Sequence, residues 1–454
     1  MSRLPDARRC QEWAEEMLSC ARAAGADGAE VLVRDGSELE VTVRLGETEL
    51  VKEAGSRALG LRVLSDHRVA AAYTSDFAPA AMRQFARETV ELCELAEPDP
   101  LADLPEPHEM AREMPDLDLW DETAPSLDAA QALRLAGRGE RAALQFDRRV
   151  TNSEGGMCRR VMGATAFASS AGFSGGYRST RLSVVVAPVC DDADGKKRVG
   201  HYWTASRFTS ELLDPEAVGL EAARRTLAKL GSRKIATCQV PAVFAPEAAR
   251  ALLGQLAGVV SGGAVWRKSS YLAAREGTAV ASPVVSVVDD PLRPRAPGSR
   301  PFDGEGLAAR PNVVVSQGLL RTFLCDVYSA RKLNRRSTGS AGRGLGGGPH
   351  VSTSNFVLLA GKTPPAELEQ LAKGLYVTDL MGFGFNPVTG DWSQGATGFW
   401  IDHGTRVHPV SEITISINFD DLWKSIDGVG NDLDTRGSVQ SPTLRVSRIT
   451  VAGR

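Results

Sequence analysis

The passage Val240-Pro-Ala-Val-Phe-Ala-Pro-Glu-Ala-Ala-Arg-Ala-Leu-Leu-Gly-Gln-Leu-Ala-Gly-Val-Val260, closed by Ser261-Gly-Gly263, organises the chain. Val240 to Phe244 is a short apolar run of the kind that makes a buried strand. Pro246 then opens a helix, because the first turn needs no backbone N–H, and Glu247 sits at the positive end of the helix dipole. Leu252, Leu253, Leu256, Val259 and Val260 recur at helical spacing and predict one buried face. Gly262 and Gly263 are expected to stop the helix in a left-handed conformation. A helix in this position could hold zinc if it carried two histidines on adjacent turns. This one carries none, and no carboxylate beyond its first turn.

Working outward, 454 residues predict two domains, divided near Gly231-Ser-Arg-Lys-Ile-Ala-Thr237: 1–232 and 233–454. Residues 10–24 predict an amphipathic helix with Trp13, Met17, Leu18 and Ala21 inward. Alternating strands follow at 29–34, 38–44, 47–54, 58–64 and 68–73, with Asp35-Gly36, Leu45-Gly46, Gly55-Ser56 and Ser65-Asp66 as expected turns. Helices are expected at 79–94, from 126 onward and at 214–230, around further strands at 149–153, 163–169, 180–188 and 200–209. The second half has short strands between Gly and Pro, a hairpin through Ser316-Gln317-Gly318, a flexible Gly-rich stretch at 337–348, and a helix at 364–373. The fold class is therefore α+β: a helix-plus-antiparallel-sheet domain followed by a β-dominated, barrel-like domain.

Composition excludes several functions. A net charge of -3 argues against a surface for nucleic acid, and no apolar run reaches the ~20 residues that span a bilayer. The N-terminus lacks the apolar core of a signal peptide, so the cytoplasm is the expected compartment. Seven scattered cysteines without a CxxC read as buried thiols. His108-Glu109 is followed by Arg112 and Pro115 and belongs to an acidic, proline-rich connection rather than a zinc helix. His403 and His408 flank a turn, with no third ligand in view. Gly172-Phe-Ser-Gly-Gly lacks the GK[ST] of a phosphate loop, and there is no GxSxG elbow. Asp289, Asp290, Asp303 and Glu305 could bind a divalent cation or do acid–base work, although Asp-Asp-Pro and Asp-Gly-Glu-Gly are also ordinary turn sequences.

An ordered series of words carries a resemblance. It runs from Arg267-Lys-Ser-Ser270 through Val288-Asp-Asp-Pro291, Pro301-Phe-Asp-Gly-Glu-Gly306, Ser329-Ala-Arg-Lys332 and Ser337-Thr-Gly339 to Ser354-Asn355. It continues with Thr389-Gly-Asp-Trp-Ser393, Gly395-Ala-Thr-Gly-Phe-Trp-Ile401, Pro409-Val-Ser-Glu-Ile-Thr-Ile415, Gly430-Asn-Asp432 and Ser441-Pro442. The N-terminal half agrees more loosely, through Gly25-Ala-Asp-Gly-Ala-Glu-Val and Ser56-Arg-Ala-Leu-Gly-Leu-Arg-Val. Together they resemble the TldD/PmbA family, also called modulators of DNA gyrase. The resemblance implies a metalloprotease of two related subunits acting on unfolded peptides such as leader peptides or antitoxins. In the TldD-type subunit a helix carries HExxxH, and a cysteine near the C-terminus completes the zinc site. Here the matching positions fall near Leu253 and Gly258, no histidine lies between His201 and His350, and no cysteine follows Gly430. The resemblance therefore implies the PmbA (TldE) type: no cofactor in this chain, zinc in a TldD-like partner, and an inactive chain when alone. A homodimer, a stand-alone hydrolase built on the carboxylates, and a peptide-binding module without protease activity are the alternatives. Ser269, Arg343 and Asn355 are the candidate peptide contacts.

Overall fold

The computed structural model describes residues 4–193 and 195–453; the first three residues of the N-terminal segment lie outside them. The first half is one antiparallel sheet with helices on one face. Helix α1 (Ala7–Ala23) leads into β1 (Gly28–Arg44), β2 (Glu47–Ser65) and β3 (Arg68–Thr74), followed by α2 (Pro79–Glu94). After an irregular connection come α3 (Ala129–Phe146), β4 (Val150–Ser169), β5 (Phe173–Asp191), β6 (Lys197–Val199), β7 (Tyr202–Ser206) and α4 (Pro215–Leu227). The strand order is β3-β2-β1-β4-β5-β6, with β7 also on β5. α1 begins at Asp6, whose carboxylate accepts from the N–H groups of Arg8 and Arg9.

Two expected turns are absent. Strands β1 and β2 run straight through Asp35-Gly36 and Gly55-Ser56, because these small residues lie opposite one another: Gly36 faces Ser56 on one side and Gly163 on the other, and Gly163 faces Ser179. None of the three glycines has a positive φ, so none turns the chain. The helix-covered face of the sheet carries a separate core on either side of this row. On one side Val31, Val33, Leu59, Leu61, Ala164 and Ala166 pack against α1 and α2. On the other, Leu39, Val41, Cys158, Met162, Leu182 and Val184 form a second core beneath α3. α3 itself starts at Ala129, after Asp128 caps it, rather than at Ser126, which belongs to a preceding 3-10 turn.

The second half begins with β8 (Cys238–Phe244), α5 (Pro246–Val259) and α6 (Gly262–Trp266), then β9 (Val287–Asp289), β10 (Asn312–Ser316), β11 (Leu319–Leu320) and α7 (Val327–Lys332). It continues through β12 (Ala341–Arg343), β13 (Pro349–Val351), β14 (Phe356–Leu358), α8 (Pro365–Leu368), β15 (Lys373–Met381), β16 (Asp391–Asp402) and β17 (Thr405–Asn418). The chain ends with α9 (Phe419–Lys424), β18 (Ile426–Val429), β19 (Val439–Gln440) and β20 (Leu444–Ala452). Strands β17, β16, β15, β8 and β20 close on themselves through a β17–β20 pairing, which makes a five-stranded barrel. A second sheet, β11-β10-β9-β14-β19, stands beside it. One large core joins the two and takes in the apolar side of α5: Leu252, Leu253, Leu256 and Val259.

Three further expectations change. α5 does stop before Ser261, but Gly262 and Gly263 open α6 instead of taking a left-handed cap. Gly262 is glycine for space, since a Cβ would lie 2.5 Å from Cys325 Sγ. The stretch 337–348 is not a loose linker: Ser337 to Arg343 are almost wholly buried, and β12 pairs with β13. It is pinned where the Leu345 carbonyl approaches so closely that a Cβ on Gly60 would lie 2.0 Å from its oxygen. The helix at 364–373 is a single turn, Pro365–Leu368. The hairpin at Gln317-Gly318 forms as expected, both residues having positive φ. Among the described residues no helix is long and apolar enough to cross a membrane.

Candidate functional site

Helix α5 has a buried and an open side. Leu253, with no exposure, belongs to the core. Ala251, Gly254 and Gly258 are exposed, and nothing lies within 4 Å of where a Cβ on either glycine would be. Leu253 and Gly258 therefore stand on different sides of the helix, and the face that could present a side chain to a ligand is 251/254/258. It carries no oxygen, nitrogen or sulfur donor. Gln255, beside it, accepts from the Trp392 indole N–H at 2.8 Å. Zinc takes thiolate, imidazole or carboxylate donors, so these residues do not fit a zinc site. Among the described residues no group of three or more His, Cys, Asp or Glu is placed to hold a metal ion.

At Ala251 the open side of α5 borders a cleft of about 450 Å³. Its opposite wall is the helix-free face of the N-terminal sheet. In β5, Leu182, Val184 and Val186 point into the cores under the helices, so the alternate residue Arg181 points the other way, into the cleft. Trp203, on β7 opposite Val185, shares that face. Glu247 and Arg250 come from α5, and Gly437 to Val439 from the approach to β19.

Electrostatics divide the cleft. Glu247 accepts from Arg225 at 3.0 Å and from Arg436 at 2.9 Å. Burial alone would raise its carboxyl, but these two guanidiniums override it and hold the group below the ordinary glutamate range. Asp434 is taken up by Arg436 at 2.8 Å and is likewise lowered against the opposing effect of burial. Arg436 also donates to the Trp203 carbonyl at 2.9 Å and lies 4.6 Å from the Trp203 ring. Arg250 lies 5.5 Å from the same ring. Among the described residues neither Arg250 nor Arg181 has a hydrogen-bond or ion-pair partner. Arg181 is exposed on its strand and Arg250 half-buried on its helix.

The residues singled out from the sequence lie elsewhere. Arg343 is buried and donates to Glu30 at 2.5 Å, Glu30 also accepting from Arg62 at 2.6 Å. Asn355 has no exposure; its amide holds the Asp290 carbonyl and Ser299 Oγ, and its oxygen accepts from Gly298 N–H. Ser269 is half-buried and closes a turn on the Ala264 carbonyl. Arg343 and Asn355 are thus turned into the protein interior, not offered to a peptide.

Asp289, Asp303 and Glu305 are buried and accept from backbone N–H groups: Asp289 from Ser354, Asp303 from Glu305, Leu307 and Ala341, and Glu305 from Val327. That is how carboxylates build turns. His108 and Glu109 form an exposed 3-10 turn, and His403 caps the exposed β16–β17 hairpin with a positive φ. Arg181, Trp203 and Arg250 escaped sequence reasoning because they sit far apart along the chain, and only the alternation in β5 hints that Arg181 leaves the core.

Three family models match in order: PmbA/TldA metallopeptidase domain 1 over residues 29–93, the central domain over 122–230 and the C-terminal domain over 237–453. The chain is 37% identical to the Metalloprotease PmbA of Escherichia coli O157:H7, covering 97% of this chain and 96% of that one. It is 34% identical to a PmbA homolog of Haemophilus influenzae over 96% and 94%. Among solved structures, a candidate modulator of DNA gyrase from Bacteroides thetaiotaomicron superposes with a TM-score of 0.91 at 25% identity, covering 98% and 99% of the two chains. TldE from Thermococcus kodakarensis shares the fold, with a TM-score of 0.85 at 22% identity over 97% and 100%. Matched by family models along most of its length, this chain belongs to the PmbA/TldD metallopeptidase family.

Proposed function

We propose that this chain is the subunit without a zinc site in a two-subunit metalloprotease of the TldD/TldE kind, which takes unfolded peptides as substrate. The observation that carries it is the open face of α5. At Ala251 it borders a cleft, yet Ala251, Gly254 and Gly258 offer no donor atom to a metal. The zinc and the hydrolytic step would then belong to a TldD-like partner. This chain would contribute a wall of the substrate enclosure, where exposed strand edges can hold an extended backbone with little regard to sequence.

The test is peptidase activity on an unfolded substrate, with bound zinc quantified, for this chain alone and for its mixture with a TldD-type subunit. Activity confined to the mixture, with the zinc in the other subunit, is expected. Stoichiometric zinc and turnover from this chain alone would overturn the proposal.

A further inference from the structure

We infer that the cleft between α5 and the N-terminal sheet is a carboxylate-selective peptide site, in which Arg181 and Arg250 take the anion and Val439 pairs with the peptide backbone. The inference rests on the proposed role in peptide handling and adds to it the place and the chemical class of ligand.

The first observation is the charge left over. Four guanidiniums, Arg181, Arg225, Arg250 and Arg436, meet around this cleft, against the carboxylates of Glu221, Glu247 and Asp434. All three carboxylates are held by Arg225 and Arg436. Arg181, which is exposed, and Arg250, which is half-buried, make no hydrogen bond or ion pair with an anion among the described residues, although the Arg250 charge helps to lower Asp434; both line the concave wall. A guanidinium is a forked donor that matches a carboxylate in two parallel hydrogen bonds. Trp203 holds Arg250 from one side by its ring face, which limits the orientations that guanidinium can take.

The second observation is independent of charge. β19 is the last strand of its sheet, and it pairs with β14 in parallel. Phe356 N–H bonds to the Ser438 carbonyl, so Val439, the residue registered with Phe356, turns its own N–H and C=O to the free edge. That edge opens on the same cleft, since Val439 is one of its lining residues. A single residue with N–H and C=O free is enough to fix one residue of an extended peptide as an added strand. Backbone clamp and forked cations together specify a peptide bearing a carboxylate. The carboxylate can be the chain terminus or an Asp or Glu side chain.

The test uses the full-length protein and fluorescein-labelled, unstructured eight-residue peptides, read by fluorescence anisotropy. One peptide has neutral side chains and a free C-terminal carboxylate, the second is its C-terminal amide, and the third is the amide with two glutamates. The terminal-acid or the glutamate peptide is expected to bind more tightly than the neutral amide, and which of them gains identifies the source of the carboxylate. The double variant R181Q/R250Q is expected to weaken that peptide by about 10–100-fold, the worth of charge-assisted hydrogen bonds, and to leave the neutral amide unchanged. V439P, which removes the N–H, is expected to weaken all three peptides alike. Thermal unfolding of each variant confirms that it is folded.

Equal binding of the acidic and neutral peptides, no binding of any, or acidic binding that survives R181Q/R250Q would overturn the inference. So would an arginine-dependent preference for a thymidine oligonucleotide over the peptides. The same variants are assayed for peptidase activity with the TldD-type subunit. Activity in the mixture together with arginine-independent binding sinks this inference and leaves the proposed role standing, whereas turnover by this chain alone sinks the role itself.

Discussion

Arg343, from the Gly-rich stretch of the C-terminal half, reaches into the N-terminal sheet and bonds Glu30 at 2.5 Å, with 4% and 0% of the two side chains exposed. Arg62 completes the pair from the other side. The neighbouring Arg34 donates to the Arg343 carbonyl at 3.0 Å, so side chain and backbone of the same residue tie the two halves together. This contact explains why the Gly-rich stretch is held in place: Gly60 lets the Leu345 backbone come close, and the ion pair fixes the register of that approach.

Breaking that tie should be costly. Arg343→Met leaves Glu30 buried with one cation, and removal of one partner of a buried pair costs about 3–5 kcal/mol. Urea denaturation followed by tryptophan fluorescence should show the loss. Burial works against the Glu30 carboxylate, but Arg343 and Arg62 prevail and hold it below its ordinary range near 4.5. A depressed carboxyl contributes stability above the unfolded value and loses it as pH falls through the folded one. The wild type should therefore lose this advantage over Arg343→Met below about pH 4.5, down through the folded value.

Glu305 has the opposite sign. Burial, and then the charges of Asp303, Glu30 and Asp326, push its carboxyl well above the ordinary value, while Val327 N–H opposes the shift. A raised group contributes stability below its unfolded pKa and forfeits it as pH rises through the folded one. Glu305→Gln keeps an oxygen for Val327 N–H and has nothing to ionise. Its unfolding temperature relative to wild type should climb between pH 5 and pH 8; a flat difference would contradict the assignment.

Two glycines make a paired experiment. Gly60→Ala would place a methyl 2.0 Å from the Leu345 carbonyl oxygen, and backbone on both sides must move. Its unfolding midpoint should fall clearly. Gly254→Ala sits on the open face of α5 with nothing within 4 Å, and alanine favours a helix interior over glycine by about 0.5–1 kcal/mol. Its midpoint should rise in the isolated chain. If the same change impairs a mixture with a TldD-type subunit, the face is in use there.

The thiols should be inert. Burial pushes Cys158 up to about 12, and Cys190 and Cys325 up to about 11. At pH 8 the reactive thiolate is a minor species at all three. Iodoacetamide followed by mass spectrometry should leave these cysteines unmodified in the native protein and label all seven in urea. Rapid native labelling of any of the three would show that its surroundings are open.

Much of the architecture was legible because it rests on periodicity. Val240 to Val260 announced a buried strand and an amphipathic helix, and the alternation from Ala29 to Tyr73 announced an antiparallel sheet. The want of zinc donors on α5 is likewise a property of residue types, since no fold can supply an imidazole that the chain between His201 and His350 does not contain. Glycine was the ambiguous letter. Gly36 and Gly55 resemble turn residues locally, yet they lie opposite Ser56 and Ser37 and the strands pass through. Gly339 to Gly348 resemble a mobile linker, yet close approach to Gly60 makes them a seam.

The cleft belongs to tertiary structure alone. Arg181 and Arg250 sit on a strand and a helix from different halves, and each by itself is an ordinary surface arginine. Whether a charge is left without a partner depends on where every other charge ends up. Local sequence sets φ/ψ preference and which face is apolar; pairing across a sheet and the sum of charges around a cleft are set by residues distant in the chain, which only the folded backbone brings within reach.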